Sequence, residues 1–166
     1  STLYFSVFTT ANWKYLALLW AVVPAVNALN FVRVPIAPLI EEGDADVIIA
    51  FEELEAYRWL PYLKKGGTIY VNTQKILPMP VIMGKAKYPE HIMETLEEHA
   101  GAVKALDALS IAEECGSVKA VNVVLLGAAS RDLPFDEEAW IKVIEENVKP
   151  KFVELNKKAF ALGRNA

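Results

Sequence analysis

Residues 38–73, PLIEEGDADVIIAFEELEAYRWLPYLKKGGTIYVNT, constrain the fold more than any other stretch. DVIIAF is a short apolar run rich in β-branched residues. It follows the turn signal of Glu42, Gly43 and Asp44 and is expected as a strand. EELEAYRWLPYL continues with helical spacing, so that Leu54, Tyr57 and Leu60 share a face. Pro61 kinks or ends that helix, because it lacks an amide donor and clashes with the turn before it. Lys64, Lys65, Gly66 and Gly67 suit a helix C-terminus, with cations answering the dipole and glycine available for a left-handed cap. TIYVN is a second strand of the buried type. A strand, a helix and a strand with tight connections predict a parallel pair with a right-handed crossover. In such sheets ligands sit beyond the carboxyl ends of the strands, where Glu52, Asn72 and Thr73 stand. For Glu52, a capping or salt-bridge role is as open as a role in a site.

At 166 residues, 54% of them hydrophobic and 23% charged, the chain is expected to form one domain over 1–166, with 1–30 atypical. Its net charge is −4 with no basic face, which disfavours nucleic-acid binding. The single cysteine, Cys115, cannot hold an iron–sulfur cluster, a structural zinc or an internal disulfide. It is expected as a half-buried thiol before a glycine cap, and one thiol fits a reducing, cytoplasmic setting. His91 and His99 stand about 12 Å apart along a helix, too far to share a metal, and are expected to be solvated. Glu53 and Glu55 are expected as solvated first-turn charges, with Arg58 one turn on from Glu55. No nucleophile elbow and no Walker loop is present.

Residues 1–30 contain the apolar run YLALLWAVVPAVNAL after Lys14. A secretory signal and a membrane anchor are both open, but the run is short for a span. The favoured expectation is a first strand, STLYFSVF, and a first helix, NWKYLALLWAVV, with no membrane partner. Phe31, Val32, Arg33 and Val34 suit an edge strand before Pro35. Residues 73–89 are proline-punctuated and expected to be extended, with VIM as a short strand. Pro89 and Glu90 are expected to open a helix whose stripe is Ile92, Met93 and Leu96, ended by Gly101. AVKALDAL reads as a strand leading to a helix, LSIAEECG, with Asp107 at the junction. VKAVNVVLLGAASRDLP supports either a strand or a buried helix carrying Val121, Val124, Leu125 and Ala128. Asn122 within it is either a satisfied helix contact or a ligand contact. Asp136 opens a helix with Ala139, Trp140, Val143 and Ile144 inward. A last helix places Phe152, Leu155, Ala159 and Phe160 on one side and stops at Gly163.

Several pieces in order carry a resemblance: Pro38, Leu39 and Ile40; Gly43 to Asp46 as GDAD; Phe51 and Glu52 with Glu55, Ala56, Tyr57 and Arg58; Gly66, Gly67 and Thr68 with Val71, Asn72 and Thr73. Asn122 with Leu126, Gly127 and Ala128, and Asn156 with Ala159, Phe160 and Gly163, extend it over residues 31–163. The chain resembles the small (beta) subunits of indolepyruvate:ferredoxin oxidoreductases, which are similar to the gamma part of the pyruvate and other 2-oxoacid:ferredoxin oxidoreductases. It departs from them at Phe8 to Trp13, where a turn of approximate form GxGGQG is usual and no glycine stands here. A His-Gly and Gln-Arg-Gly-Gly segment is also missing before Phe31. No catalytic role is therefore carried into residues 1–30.

The resemblance implies a three-layer α/β/α fold with a central, largely parallel sheet. It also implies a chain inactive alone, working in the oxidative decarboxylation of indolepyruvate or other aryl pyruvates to aryl-acetyl-CoA with electrons passed to ferredoxin. Thiamine diphosphate, Mg and iron–sulfur clusters are expected on a large (alpha) partner subunit, with none bound by this chain alone. Coenzyme A is the co-substrate, and ferredoxin is met through the complex. Glu52, Asn72, Thr73 and Asn122 are the candidate cofactor-binding residues, with no metal ligand and no catalytic residue assigned. A pyruvate- or 2-oxoglutarate-type gamma subunit and a non-catalytic α/β scaffold remain as alternatives.

Overall fold

The computed structural model describes residues 6–8 and 41–166. The first-helix expectation and the strand expected at Phe31 lie outside the described residues. Four strands form one sheet in chain order: β1 (Ser6–Phe8), β2 (Ala45–Ala50), β3 (Leu63–Asn72) and β4 (Ala102–Leu106). β2, β3 and β4 are mutually parallel, and β1 pairs antiparallel with β2. The largely parallel sheet is thus as expected, with one antiparallel edge.

Alternation along the strands divides the core in two. Val47, Ile49 and Tyr70 pack with four helices on one face: α4 (Ala108–Glu114), α5 (Val121–Ala129), α6 (Glu137–Asn147) and α7 (Val153–Asn165). Ile48, Ala50, Ile69 and Val71 point the other way, onto α1 (Glu53–Trp59) and α3 (Ile92–His99). These are the three layers. A one-turn helix, α2 (Met79–Ile82), lies between β3 and α3.

Several local expectations need correction. Tyr57 is 40% exposed, because α1 buries Glu53, Leu54 and Ala56 instead. Residues 64–67 do not cap a helix. Pro61 stands in a 3-10 turn after α1, and Leu63 already pairs with Ala45; the next registered pair is Thr68 with Val47. Between those pairs β3 carries two lysines and two glycines against the single Asp46 of β2, and Gly66 takes a φ of +82° there. VIM is not a strand, since Val81 and Ile82 belong to α2. α3 starts after His91, itself left-handed at φ 59°, and not at Pro89. Ala139 and Phe152 are exposed. Helix, not strand, holds for α5.

Gly163 does not stop the last helix, which runs on to Asn165. It lies where α7 crosses α5: a β-carbon on Gly163 would sit 2.0 Å from the Val124 carbonyl oxygen. One on Gly127 would sit 2.2 Å from that of Phe160. Two bare glycines let the two backbones touch.

Tyr70 on β3 stands opposite Lys104 on β4. The Tyr70 hydroxyl donates to Asp132 Oδ2 at 2.6 Å, and Lys104 Nζ donates to both at 3.1 and 2.9 Å. Burial, reinforced by Asp132, pushes Tyr70 up to about 12 from its ordinary 10. The hydrogen bonds to Asp132 and Tyr70 likewise raise Lys104. Above pH 10 the unfolded chain releases the tyrosine proton while the folded chain keeps it. Stability present below that pH is therefore lost as pH rises toward 12, on the order of 2 kcal/mol for Tyr70. Melting curves between pH 9 and 12 should thus fall less steeply for Tyr70→Phe than for the wild type, and parallel slopes would remove Tyr70 from the alkaline transition.

Candidate functional site

The carboxyl ends of β2, β3 and β4 bring Phe51 and Glu52, Asn72 and Thr73, and Asp107 to one edge of the sheet. Each is fixed by the element that begins or ends beside it. Glu52 is the N-cap of α1: Oε2 accepts from the Glu55 amide at 3.1 Å, which satisfies one of the free donors of the first turn. Its other oxygen, Oε1, accepts from the Tyr88 hydroxyl at 2.9 Å, and the side chain is buried. Capping, one of the two roles the sequence leaves open, is therefore occupied. Burial, together with the hydrogen bond to Glu52, raises the Tyr88 hydroxyl well above the ordinary tyrosine range.

Asn72 is fully buried and ties three segments together. Its Nδ2 donates to the Phe51 carbonyl at 3.2 Å and to Gln74 Oε1 at 3.4 Å, and its Oδ1 accepts from the Ala108 amide at 3.0 Å. One amide thus joins the end of β2, the end of β3 and the start of α4. The exposed Thr73 continues the edge, with its amide donating to the Leu106 carbonyl at 3.1 Å. Asp107 caps α4, accepting from the Ser110 amide at 3.0 Å and from its hydroxyl at 2.6 Å. Those bonds hold the Asp107 carboxyl below its usual range.

Glu52, Asn72 and Thr73 are therefore brought together as predicted. Asn122 is not joined to them; it lies half-buried in the first turn of α5, with Oδ1 accepting from the Val123 amide at 2.9 Å. Glu53 corrects the sequence reading: it is buried and pairs with Lys75 at 3.4 Å, while Glu55 does pair with Arg58. Beside this edge an open cleft of about 420 Å³ is lined by Glu53, Lys75, Tyr88, Pro89, His91 and Met93. Tyr88 and Lys75 are the functional candidates that sequence reasoning missed. The only signal was their place in the segment that leaves β3 at Thr73.

Among the described residues no three His, Cys, Asp or Glu side chains are grouped to hold a metal ion. Cys115 is half-buried at the end of α4, and burial raises its thiol, as suits a packed residue before Gly116. His91 and His99 are exposed. No helix among the described residues is long and apolar enough to cross a membrane.

Residues 25–166 match the family model described as pyruvate ferredoxin/flavodoxin oxidoreductase. The chain belongs to that family. It is 42% identical over 133 residues to an indolepyruvate oxidoreductase subunit IorB of Thermococcus kodakarensis, and 44% identical over the same length to that of Pyrococcus horikoshii. Each alignment takes in 77% of this chain and 66% of the relative, so the chain spans just under two thirds of these relatives' length. Among solved structures, the gamma subunit of a keto/oxoacid ferredoxin oxidoreductase from Geobacter sulfurreducens shares the fold. Its TM-score is 0.52 at 24% identity, over 73% of this chain and 63% of that one. A 2-oxoglutarate:ferredoxin oxidoreductase from Magnetococcus marinus, solved with 2-oxoglutarate, coenzyme A and succinyl-CoA, gives a TM-score of 0.53 at 19% identity. That match covers 75% of this chain but only 20% of the other. The resemblance and fold class read from the sequence are both borne out.

Proposed function

We propose that this family member is the small subunit of an indolepyruvate:ferredoxin oxidoreductase and acts only in complex with a larger subunit. The observation that carries this reading is the identity to the two IorB subunits. The single cysteine agrees with it, because one thiol among these 166 residues cannot hold an iron–sulfur cluster. In the complex, thiamine diphosphate with Mg and the iron–sulfur clusters of the larger subunit supply decarboxylation and electron transfer to ferredoxin, and coenzyme A accepts the aryl-acetyl group. The setting is the cytoplasm.

This chain's part is to shape the edge that the larger subunit closes. Asn72 and Glu52 hold the strand ends, and their polar atoms are engaged by Phe51, Ala108, Glu55 and Tyr88. The exposed Thr73, beside Lys75, is the group left to meet a ligand. Nothing among the described contacts draws Asn122 to that edge.

The reading is tested by mixing this chain with the large subunit. Indolepyruvate- and coenzyme-A-dependent reduction of methyl viologen is expected from the mixture and not from this chain alone. Activity of the mixture no higher than that of the large subunit would refute it, and a clear preference for pyruvate or 2-oxoglutarate would reassign the substrate.

A further inference from the structure

The segment that leaves the edge after Thr73 is built unlike the rest of the surface. Leu77, Met79, Ile82 and Met83 are 51, 64, 62 and 56% exposed, and Ile76 joins them at 39%. Five exposed large apolar side chains within eight residues are a concentration that a chain working alone has reason to avoid. The segment is nonetheless ordered by its own backbone. The Val81 amide donates to the Pro78 carbonyl at 2.9 Å, that of Met83 to Met79 at 2.9 Å and that of Lys85 to Pro80 at 2.8 Å. Pro78 and Pro80 fix two further dihedrals. The arm is thus shaped before anything binds it, which lowers the entropy cost of docking.

Its rim is basic. Lys85 and Lys87 are exposed and form no ion pair among the described residues, and Lys75 remains largely exposed beside Glu53. The rim argues against a second copy of this chain. Two arms packed together would bring like charges into register. Elsewhere among the described residues the exposed large apolar side chains are Tyr57, Val118 and Phe152, each on a different element. The hollow along α6 is acidic, with Glu137, Glu138, Glu145 and Glu146 against Lys142, but Ile141 is its one apolar residue. One isoleucine gives the five apolar side chains of the arm little to pack against.

We propose that residues 76–83 are the anchor by which this chain docks into an apolar groove, rimmed by carboxylates, on a different and larger polypeptide. The proposal rests on the subunit reading above and names the surface that carries it. The arm starts at the strand edge that the larger subunit is to close, so one docking event covers both.

The experiment measures the affinity of the large subunit for this chain by titration calorimetry. Met79→Ser/Ile82→Ser is expected to raise Kd about a hundredfold, as loss of a central apolar anchor does. The melting temperature of the isolated variant should stay unchanged, because the replaced side chains are exposed. Val118→Ser should leave Kd within about twofold, since isolated surface apolar residues contribute little. Lys85→Glu/Lys87→Glu should weaken binding about tenfold at low salt, through lost complementarity. An unchanged Kd for the serine variant, with tight wild-type binding, overturns the anchor and leaves the subunit reading standing. A drop of several degrees in the isolated variant's melting temperature also overturns it, by showing that the arm packs on its own chain. So does a wild-type homodimer that the serine variant abolishes. Failure of the wild type to bind the large subunit defeats the subunit reading and the anchor with it.

Discussion

Gly163→Ala lowers the free energy of unfolding by about 3 kcal/mol or more, at the upper end of the cost of overpacking. The added methyl would lie 2.0 Å from the carbonyl oxygen of Val124. That oxygen belongs to the buried helix α5, so relief requires α5 and α7 to move apart and open the core around Leu125 and Phe160. Gly127→Ala meets the Phe160 carbonyl in the same way and should cost a similar amount. Because both act on one crossing, the double variant should cost less than the sum. Gly116→Ala is the control: nothing lies within 4 Å of its position, and only the φ of +100° opposes a side chain. About 1 kcal/mol is expected there. Urea denaturation of the three single variants checks the ranking, and equal costs for Gly163 and Gly116 would dismiss the close crossing.

Asn72→Ala should be nearly as costly, about 3 kcal/mol, or roughly 8 °C in melting temperature for a chain of this size. The truncation strips the Ala108 amide and the Phe51 carbonyl of their side-chain partner at a fully buried position. Exposed Thr73 next to it carries no such duty in its hydroxyl, and Thr73→Ala should melt like the wild type. In the assembled enzyme the expected order reverses: Thr73→Ala changes turnover at unchanged stability, whereas Asn72→Ala acts mainly through stability. Differential scanning fluorimetry beside viologen assays separates the two, and a wild-type melting temperature for Asn72→Ala would end the positioning role.

Much of this was legible in the residues. The β-branched runs around Ile48 and Ile69 can be little else than buried strands, and a parallel pair fixes which ends carry polar groups. Glu52, Asn72 and Thr73 followed from that rule alone. What stayed illegible depends on distant partners. A Lys-Lys-Gly-Gly string serves a helix end or an irregular strand equally well, and the pairing of Leu63 with Ala45 decides between them. Gly163 looks like a stop until the helix that crosses it is known. Glu53 is buried and pairs with Lys75, and Tyr88 reaches Glu52 across 36 positions. The VIM run misled for another reason. Among the described residues Ile82 and Met83 are exposed, so its apolar character does not mark a buried strand.

The two ends of the sheet are finished differently. At the amino end a β-carbon on Gly101 would meet the Gly66 carbonyl oxygen at 2.3 Å, one on Gly67 would meet that of Asp46 at 2.9 Å, and the Gly101 amide bonds to the Gly67 carbonyl at 2.8 Å. That seam is made of main chain and tolerates no added bulk. Side chains added at Gly101 or Gly67 are therefore expected to cost foldability, as they do where α5 and α7 cross. On the proposed function, libraries aimed at the ligand edge can leave the lower seam untouched and spend their diversity at Thr73 and beyond.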